Sequence, residues 1–127
     1  MNQPRILEEV QGEQIMVKAI RLNVRDQVAT VLGDATSGED IKVYSQDMEK
    51  LTEVKALQKI PFGNKVALED IEKDITLYKG GYPIGYVVKN IKAGDLVHVQ
   101  NVRSSHIDIP EGIIGEIIKQ MDIREEI

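Results

Sequence analysis

Apolar and polar residues alternate where the chain first becomes patterned. Ile20, Leu22 and Val24 interleave with Arg21, Asn23 and Arg25. A period of two predicts a strand with one buried face. Asp26-Gln27 reads as a turn, and Val28 to Leu32 as a second strand. Gly33 to Asp40 is a loop of turn-forming residues, followed by a short strand at Ile41 to Tyr44. Residues 45–59 are ambiguous. Met48, Leu51, Val54, Ala56 and Leu57 fit a helical face, while Glu53 to Ile60 fits a strand, so the reading is a turn or short helix over 45–52 and a strand over 53–60. Lys65 to Leu68 and Thr76 to Lys79 are predicted strands, with a sharp turn at Gly80-Gly81. Ile84 to Val88 and Asp95 to Val99 are the last two.

The C-terminal segment changes period. Ile109, Ile113, Ile114, Ile117, Ile118 and Met121 share one helical stripe. Asp108 is positioned to cap the helix start, and Pro110 is tolerated in a first turn, where its missing N–H is not needed. Glu111 suits the positive end of the helix dipole. The predicted helix spans 109–122, and its stripe needs a surface, either its own domain or a partner's. The expected organisation is a flexible polar N-terminus over 1–13, a β domain over 14–104, and a helix and tail over 105–127.

The β region repeats itself. Asp70-Ile71-Glu72-Lys73-Asp74 before Leu77 resembles Asn90-Ile91-Lys92-Ala93-Gly94 before Val97. A fainter copy is Asp34-Ala35-Thr36-Ser37-Gly38 before Ile41. Each has an acidic or amide residue, a small or apolar residue, a tight turn and a strand.

Composition narrows the function classes. A chain of 127 residues is one domain, long enough for a core without disulfides. It has one Phe and no Trp, so the core is aliphatic. A net charge of −5 argues against a general nucleic-acid binder, which needs a basic surface. There is no Cys, which removes disulfides, cysteine nucleophiles and thiolate metal sites. No apolar run approaches the roughly 20 residues of a membrane helix, and the N-terminus lacks a signal-like apolar stretch. The expected location is cytoplasmic. No GxSxG, P-loop, HExxH or dinucleotide fingerprint is present. The only histidines are His98 and His106.

Several segments together resemble one family. Ile60-Pro61-Phe62-Gly63-Asn64-Lys65-Val66-Ala67-Leu68, with Asp70-Ile71 after it, is similar to the IPxGHKxAL…DI signature of the SAF domain in the altronate/galactarate dehydratase family. Pro83-Ile84-Gly85-Tyr86 resembles its GxxIGxA segment. Asn90 to Asn101 resembles its DIxxGxxVHxHN segment, and Asp26 to Val31 its DNVAVA run. The likeness covers about residues 20–103 in the right order.

The resemblance implies a mainly β, β-clip fold with a C-terminal helix. It also implies the role of a separate small subunit, as in sulfolactate sulfo-lyase, in a two-component hydro-lyase acting on a sugar acid or related hydroxy acid. A dehydratase large subunit would be the partner and would hold the divalent metal, iron or manganese. No cofactor is expected on this chain alone.

The implied site residues are His98 as the catalytic group, with Asn64, Lys65, Asn101 and Arg103 binding substrate. Each has a plainer reading: His98 as a surface strand residue, Lys65 as a solvated turn lysine. His106 reads as a surface residue, and Glu69, Asp70, Glu72 and Asp74 as a solvated acidic turn. Tyr82 and Tyr86 either line a pocket or add aromatic bulk to the core. The chain departs from the family at Asn64 and Gln100, where many members have His, and near Asn23. Lys79-Gly80-Gly81 replaces Lys-Tyr-Gly. A lost imidazole removes a metal ligand and a proton carrier. The alternative is a non-catalytic SAF-type module that binds a carbohydrate or acid, or serves interaction.

Overall fold

Nine strands and one helix build the part of the chain described by a computed structural model, residues 16–106 and 108–123. The polar segment 1–13 lies outside the described residues. The strands are β1 (Val17–Arg21), β2 (Val28–Val31), β3 (Asp40–Ser45), β4 (Lys50–Lys55), β5 (Lys65–Ala67), β6 (Thr76–Lys79), β7 (Tyr82–Val87), β8 (Leu96–Val97) and β9 (Val102–Ser104). The helix α1 is Glu111–Met121. The fold class is as expected: mainly β, with a C-terminal helix.

Six strands form one sheet in the order β4-β3-β1-β2-β5-β8, and three form a second in the order β6-β7-β9. Each face of the larger sheet has its own cover. Ala19, Ala29, Val31, Ile41, Val43, Val66 and Leu96 form one buried cluster, against which Ile118 and Met121 of the helix pack. Val28, Ala67 and Val97 face the other way, onto Leu77 and Val87 of the smaller sheet and onto Ile71 and Ile91. Strand alternation thus sends successive residues of β2, β5 and β8 into two different cores.

The repeat occurs four times, once more than the sequence suggested. Ala35, Ile60, Ile71 and Ile91 each open a tight turn that feeds a strand, and they pair as Ala35 with Ile60 and Ile71 with Ile91. Each pair exchanges both backbone hydrogen bonds at 2.8–2.9 Å. Three residues after each of the four comes a positive φ: Gly38 (88°), Gly63 (84°), Asp74 (76°) and Gly94 (97°). The N–H there donates to the residue four positions before the partner's bridge residue: Gly38 to Ala56, Gly63 to Val31, Asp74 to Val87 and Gly94 to Ala67. The acidic or amide residue of the motif acts across the pair. Asp34 accepts from Phe62 N–H, Asp70 from Ala93 N–H and Asn90 from Lys73 N–H.

Several boundaries differ from expectation. The strand read at Ile20 to Val24 stops at Arg21, and Val24 is 84% exposed on a turn. The Arg21 guanidinium donates to the carbonyls of Val24 and Asp26, and Asn23 Oδ1 accepts from Arg25 N–H, so side chains fix that turn. Residues 46–49 form a turn, one of the two forms expected there, and the strand expected over 53–60 runs instead over Lys50–Lys55. Ser45 Oγ accepts from the N–H groups of Asp47 and Glu49, Met48 takes φ 68°, and β4 follows at once. Strand β9 was not anticipated.

The helix begins at Glu111 after Pro110, without a side-chain cap, so Asp108 does not cap it. Its inner face is Ile114, Ile118 and Met121, while Ile113 is 53% exposed. Asp122, at φ 55°, ends it and returns Ile123 to the first cluster.

Candidate functional site

Lys65 stands opposite Thr30 on one side and Val97 on the other. That register puts it on the face that carries Val28, Ala67 and Val97, the face covered by the smaller sheet. A half-buried ammonium is the result. Burial pushes the Lys65 pKa down, and the charge of nearby Lys79 pushes it further the same way.

Lys79 is brought there by two residues just ahead of β2. The carboxylate of Asp26, 1% exposed, accepts from Gly80 N–H at 2.7 Å and Gly81 N–H at 2.9 Å. The Gln27 side-chain amide binds the backbone of β6, donating to Thr76 O and accepting from Tyr78 N–H, both at 2.9 Å. Gly80 and Gly81 have φ of 65° and 85°. A Cβ on Gly81 would lie 2.9 Å from the Asn23 side chain, so the turn seats against the β1–β2 connection only without one.

His98 follows β8. The strand expected over Asp95–Val99 ends at Val97, and His98 starts a turn. The reason is Asn101, whose Oδ1 accepts from His98 N–H at 3.0 Å while its Nδ2 donates to Leu96 O at 2.9 Å. The His98 carbonyl accepts from the N–H groups of Asn101 and Val102. Ring atom Nδ1 accepts from Val99 N–H at 2.8 Å. The neutral ring therefore carries its proton on Nε2. Burial first, then the Lys65 charge, holds its pKa below the ordinary value.

The remaining candidates divide. Asn64 is half-buried beside Lys65, its Nδ2 donating to Pro61 O at 3.1 Å. Asn101 is 6% exposed, with both polar ends engaged by backbone, so it shapes the turn that presents His98. Gln100 Nε2 donates to Leu96 O at 2.8 Å, and its buried Oε1 has no partner among the described residues. Arg103 turns elsewhere. Its guanidinium binds Val99 O and lies 3.5 Å from the Glu111 carboxylate, in a cavity of about 400 Å³ between β9 and the helix start. Tyr86 and exposed His106 line that cavity, and Tyr82 is exposed. Asp70 serves the partner turn at Ala93, and Glu69, Glu72 and Asp74 are exposed.

The structure thus puts Lys65 beside His98, and the charge of the unanticipated Lys79 bears on Lys65. Neither lysine forms an ion pair among the described residues. Asp26, Gln27 and Lys79 were missed as site builders, although Asp26-Gln27 heads the DNVAVA-like run and Lys79 precedes the double glycine.

Residues 17–105 match the altronate/galactarate dehydratase SAF domain. The chain belongs to this family. It is 35% identical over 92 residues to an altronate dehydratase of Escherichia coli (strain K12), covering 72% of this chain but 17% of that protein. An altronate dehydratase of Bacillus subtilis (strain 168) is 30% identical over 94 residues, 74% of this chain and 18% of the relative. The chain therefore spans less than a fifth of either dehydratase. The (2R)-sulfolactate sulfo-lyase subunit alpha of Chromohalobacter salexigens is 31% identical over 80 residues, 62% of this chain and 85% of that subunit. No helix among the described residues is long and apolar enough to cross a membrane.

Proposed function

We propose that this SAF-family chain is the small subunit of a two-component hydro-lyase acting on a sugar acid or related hydroxy acid. The observation that carries this reading is the Lys65–Lys79–His98 group, half-buried cations and a ring N–H with no carboxylate paired to either lysine among the described residues. Such a group suits an anion. The Lys65 ammonium holds the substrate carboxylate, and the Nε2–H of His98 donates to a substrate hydroxyl. Turning Nδ1 toward Val99 N–H opposes the imidazolium form, because two donors would then face each other. His98 therefore acts as a fixed donor and not as the base.

The divalent metal implied by the family does not fit here. Among the described residues no three of His, Cys, Asp and Glu converge, and the lysines repel a cation. We assign the metal and proton abstraction to the large subunit. The chain's similarity to most of a named alpha subunit supports a subunit role.

A second reading, a non-catalytic binding module, is favoured by Gln100 and Asn64. Both stand where many members carry imidazole, and both donate to the backbone. Co-expression with a dehydratase-type large chain separates the two. The first reading expects a stable complex whose dehydration rate falls at least about 100-fold in Lys65→Met, in line with loss of a charged contact. A chain that never associates, yet binds hydroxy acids by itself, supports the second.

A further inference from the structure

Arg103 stands opposite Tyr86 on the β7–β9 ladder, so the two side chains share one face of the smaller sheet. The strands meet tightly there. A Cβ on Gly85 would lie 2.2 Å from Arg103 O, so the backbone that carries Arg103 is fixed in place. Its Nη1 donates to Val99 O and, at 3.4 Å, to Val102 O. Nη2 and Nε make no hydrogen bond among the described residues, and the Glu111 carboxylate stands 3.5 Å from Nη2. The Arg103 side chain is 25% exposed, whereas that of Glu111 is 82% exposed. A pair with one member so open to water holds weakly. The Nε–Nη2 edge of a sheltered guanidinium, which fits a carboxylate through two parallel N–H groups, is therefore available.

Arg103 and Glu111 both line the cavity of about 400 Å³ between β9 and the helix start. Val99, Val102, Ile109 and Ile114 give it aliphatic surface, and Asp108 adds a second carboxylate. The part of its wall from His106 to Ile114 lies beyond residues 17–105, so the family domain alone does not form it. Val99 links the cavity to His98. Its carbonyl accepts from Arg103, while its N–H donates to His98 Nδ1.

We propose that this cavity is a second ligand site, taking a small monocarboxylate with an apolar body, and that its occupant is felt at His98 through Val99. The Arg103 fork holds the carboxylate in place of Glu111, and the aliphatic wall covers the body. A dianion is disfavoured, because Asp108 and Glu111 face the one guanidinium. The site stands apart from Lys65 and from the reaction proposed above.

The test uses the full-length chain with hexanoate as the probe. Binding is followed by NMR of the Arg103 Nε–H and the His98 ring at constant pH and ionic strength. Both signals should shift to saturation with one Kd. That Kd should be at least about tenfold below the value for acetate, which lacks the apolar body, and for 1-hexanol, which lacks the charge. Arg103→Lys should weaken hexanoate at least about tenfold, since an ammonium offers no fork. Glu111→Gln, at an exposed position, should tighten it about two- to fivefold by removing the competing carboxylate. Lys65→Met should leave the Kd within about twofold. Equal affinity for hexanoate and acetate, or an Arg103→Lys variant that binds like the parent protein, overturns the site. Loss of binding in Lys65→Met also overturns it, by placing the probe at Lys65. Saturation at Arg103 with an unmoved His98 ring upholds the site and overturns the link through Val99.

Discussion

Asp34 accepts the backbone N–H of Phe62 at 2.8 Å, from one turn of the four-part repeat to its partner. Asp70 and Asn90 do the same for Ala93 and Lys73. In the fourth unit the equivalent position is Lys59, which has no acceptor to offer Ser37 N–H. Lys59→Asp should complete the set and stabilise the fold by about 0.5–1 kcal/mol, the scale of a side-chain cap. A urea midpoint that stays put or falls would refute this.

The glycines of the turns are not equivalent. A Cβ on Gly94 would sit 2.1 Å from Lys55 O, while one on Gly38 meets open space, and both have positive φ. Gly38→Ala should cost about 1–2 kcal/mol from backbone strain alone. Gly94→Ala should cost about 1–3 kcal/mol more, because the neighbouring backbone must also move. Equal unfolding free energies for the two variants would show that the close approach is not maintained.

Asp26 is expected to matter for stability and site together. Asp26→Ala leaves the N–H groups of Gly80 and Gly81 without acceptors, at about 1–3 kcal/mol each if they stay dry. Lys79 should then move away from Lys65. Calorimetry gives the first effect, and a Lys65 midpoint closer to the ordinary value gives the second. A variant that melts like the parent protein would contradict the assignment.

Much of this was legible in the sequence. The strands at Val28 to Val31, Ile41 to Tyr44 and Thr76 to Lys79 follow from β-branched runs bounded by turn residues. The family signature located Lys65 and His98. Lys79 and Asp26 were not visible as partners because their meeting depends on the seating of one sheet on another. Met48 and Leu51 misled because helical spacing carries no information about burial, and both side chains lie on the exposed hairpin of an edge strand. The role of the motif's acidic residue was hidden for a similar reason. It caps a distant turn, not its own.

The helix stripe divides the same way. Ile114 is buried and Ile113 is not. Ile114→Ala should cost about 2–5 kcal/mol, as truncation of a buried Ile does. Ile113→Ala should lie within about 0.5 kcal/mol of the parent protein. Reversal of that order in thermal denaturation would mean that the helix is rotated.

His98 gives a pH dependence whose sign is set by its lowered pKa. The unfolded chain, near the ordinary value of 6.5, binds the proton more readily than the folded one. Stability from this residue is therefore fully present above about pH 6.5 and declines as the pH falls from there through the folded midpoint. Lys65→Met should raise that midpoint by removing one of its two causes. An NMR titration with a midpoint at or above 6.5 in the parent protein would refute the burial of the ring.

The reciprocal pairing of the turns also governs how the molecule comes apart. Gly38 and Gly63 each lend an amide proton to the other's segment, as Asp74 and Gly94 do, so neither member of a pair can fray without releasing its mate. Opening then proceeds by whole clasps. Amide exchange should run at one rate for Gly38 and Gly63 and at a second for Asp74 and Gly94. The Gly63–Lys65 loop, although exposed at its tip, is kept shut by residues on the far side of the clasp, and a protease would have to undo both ends to cut it.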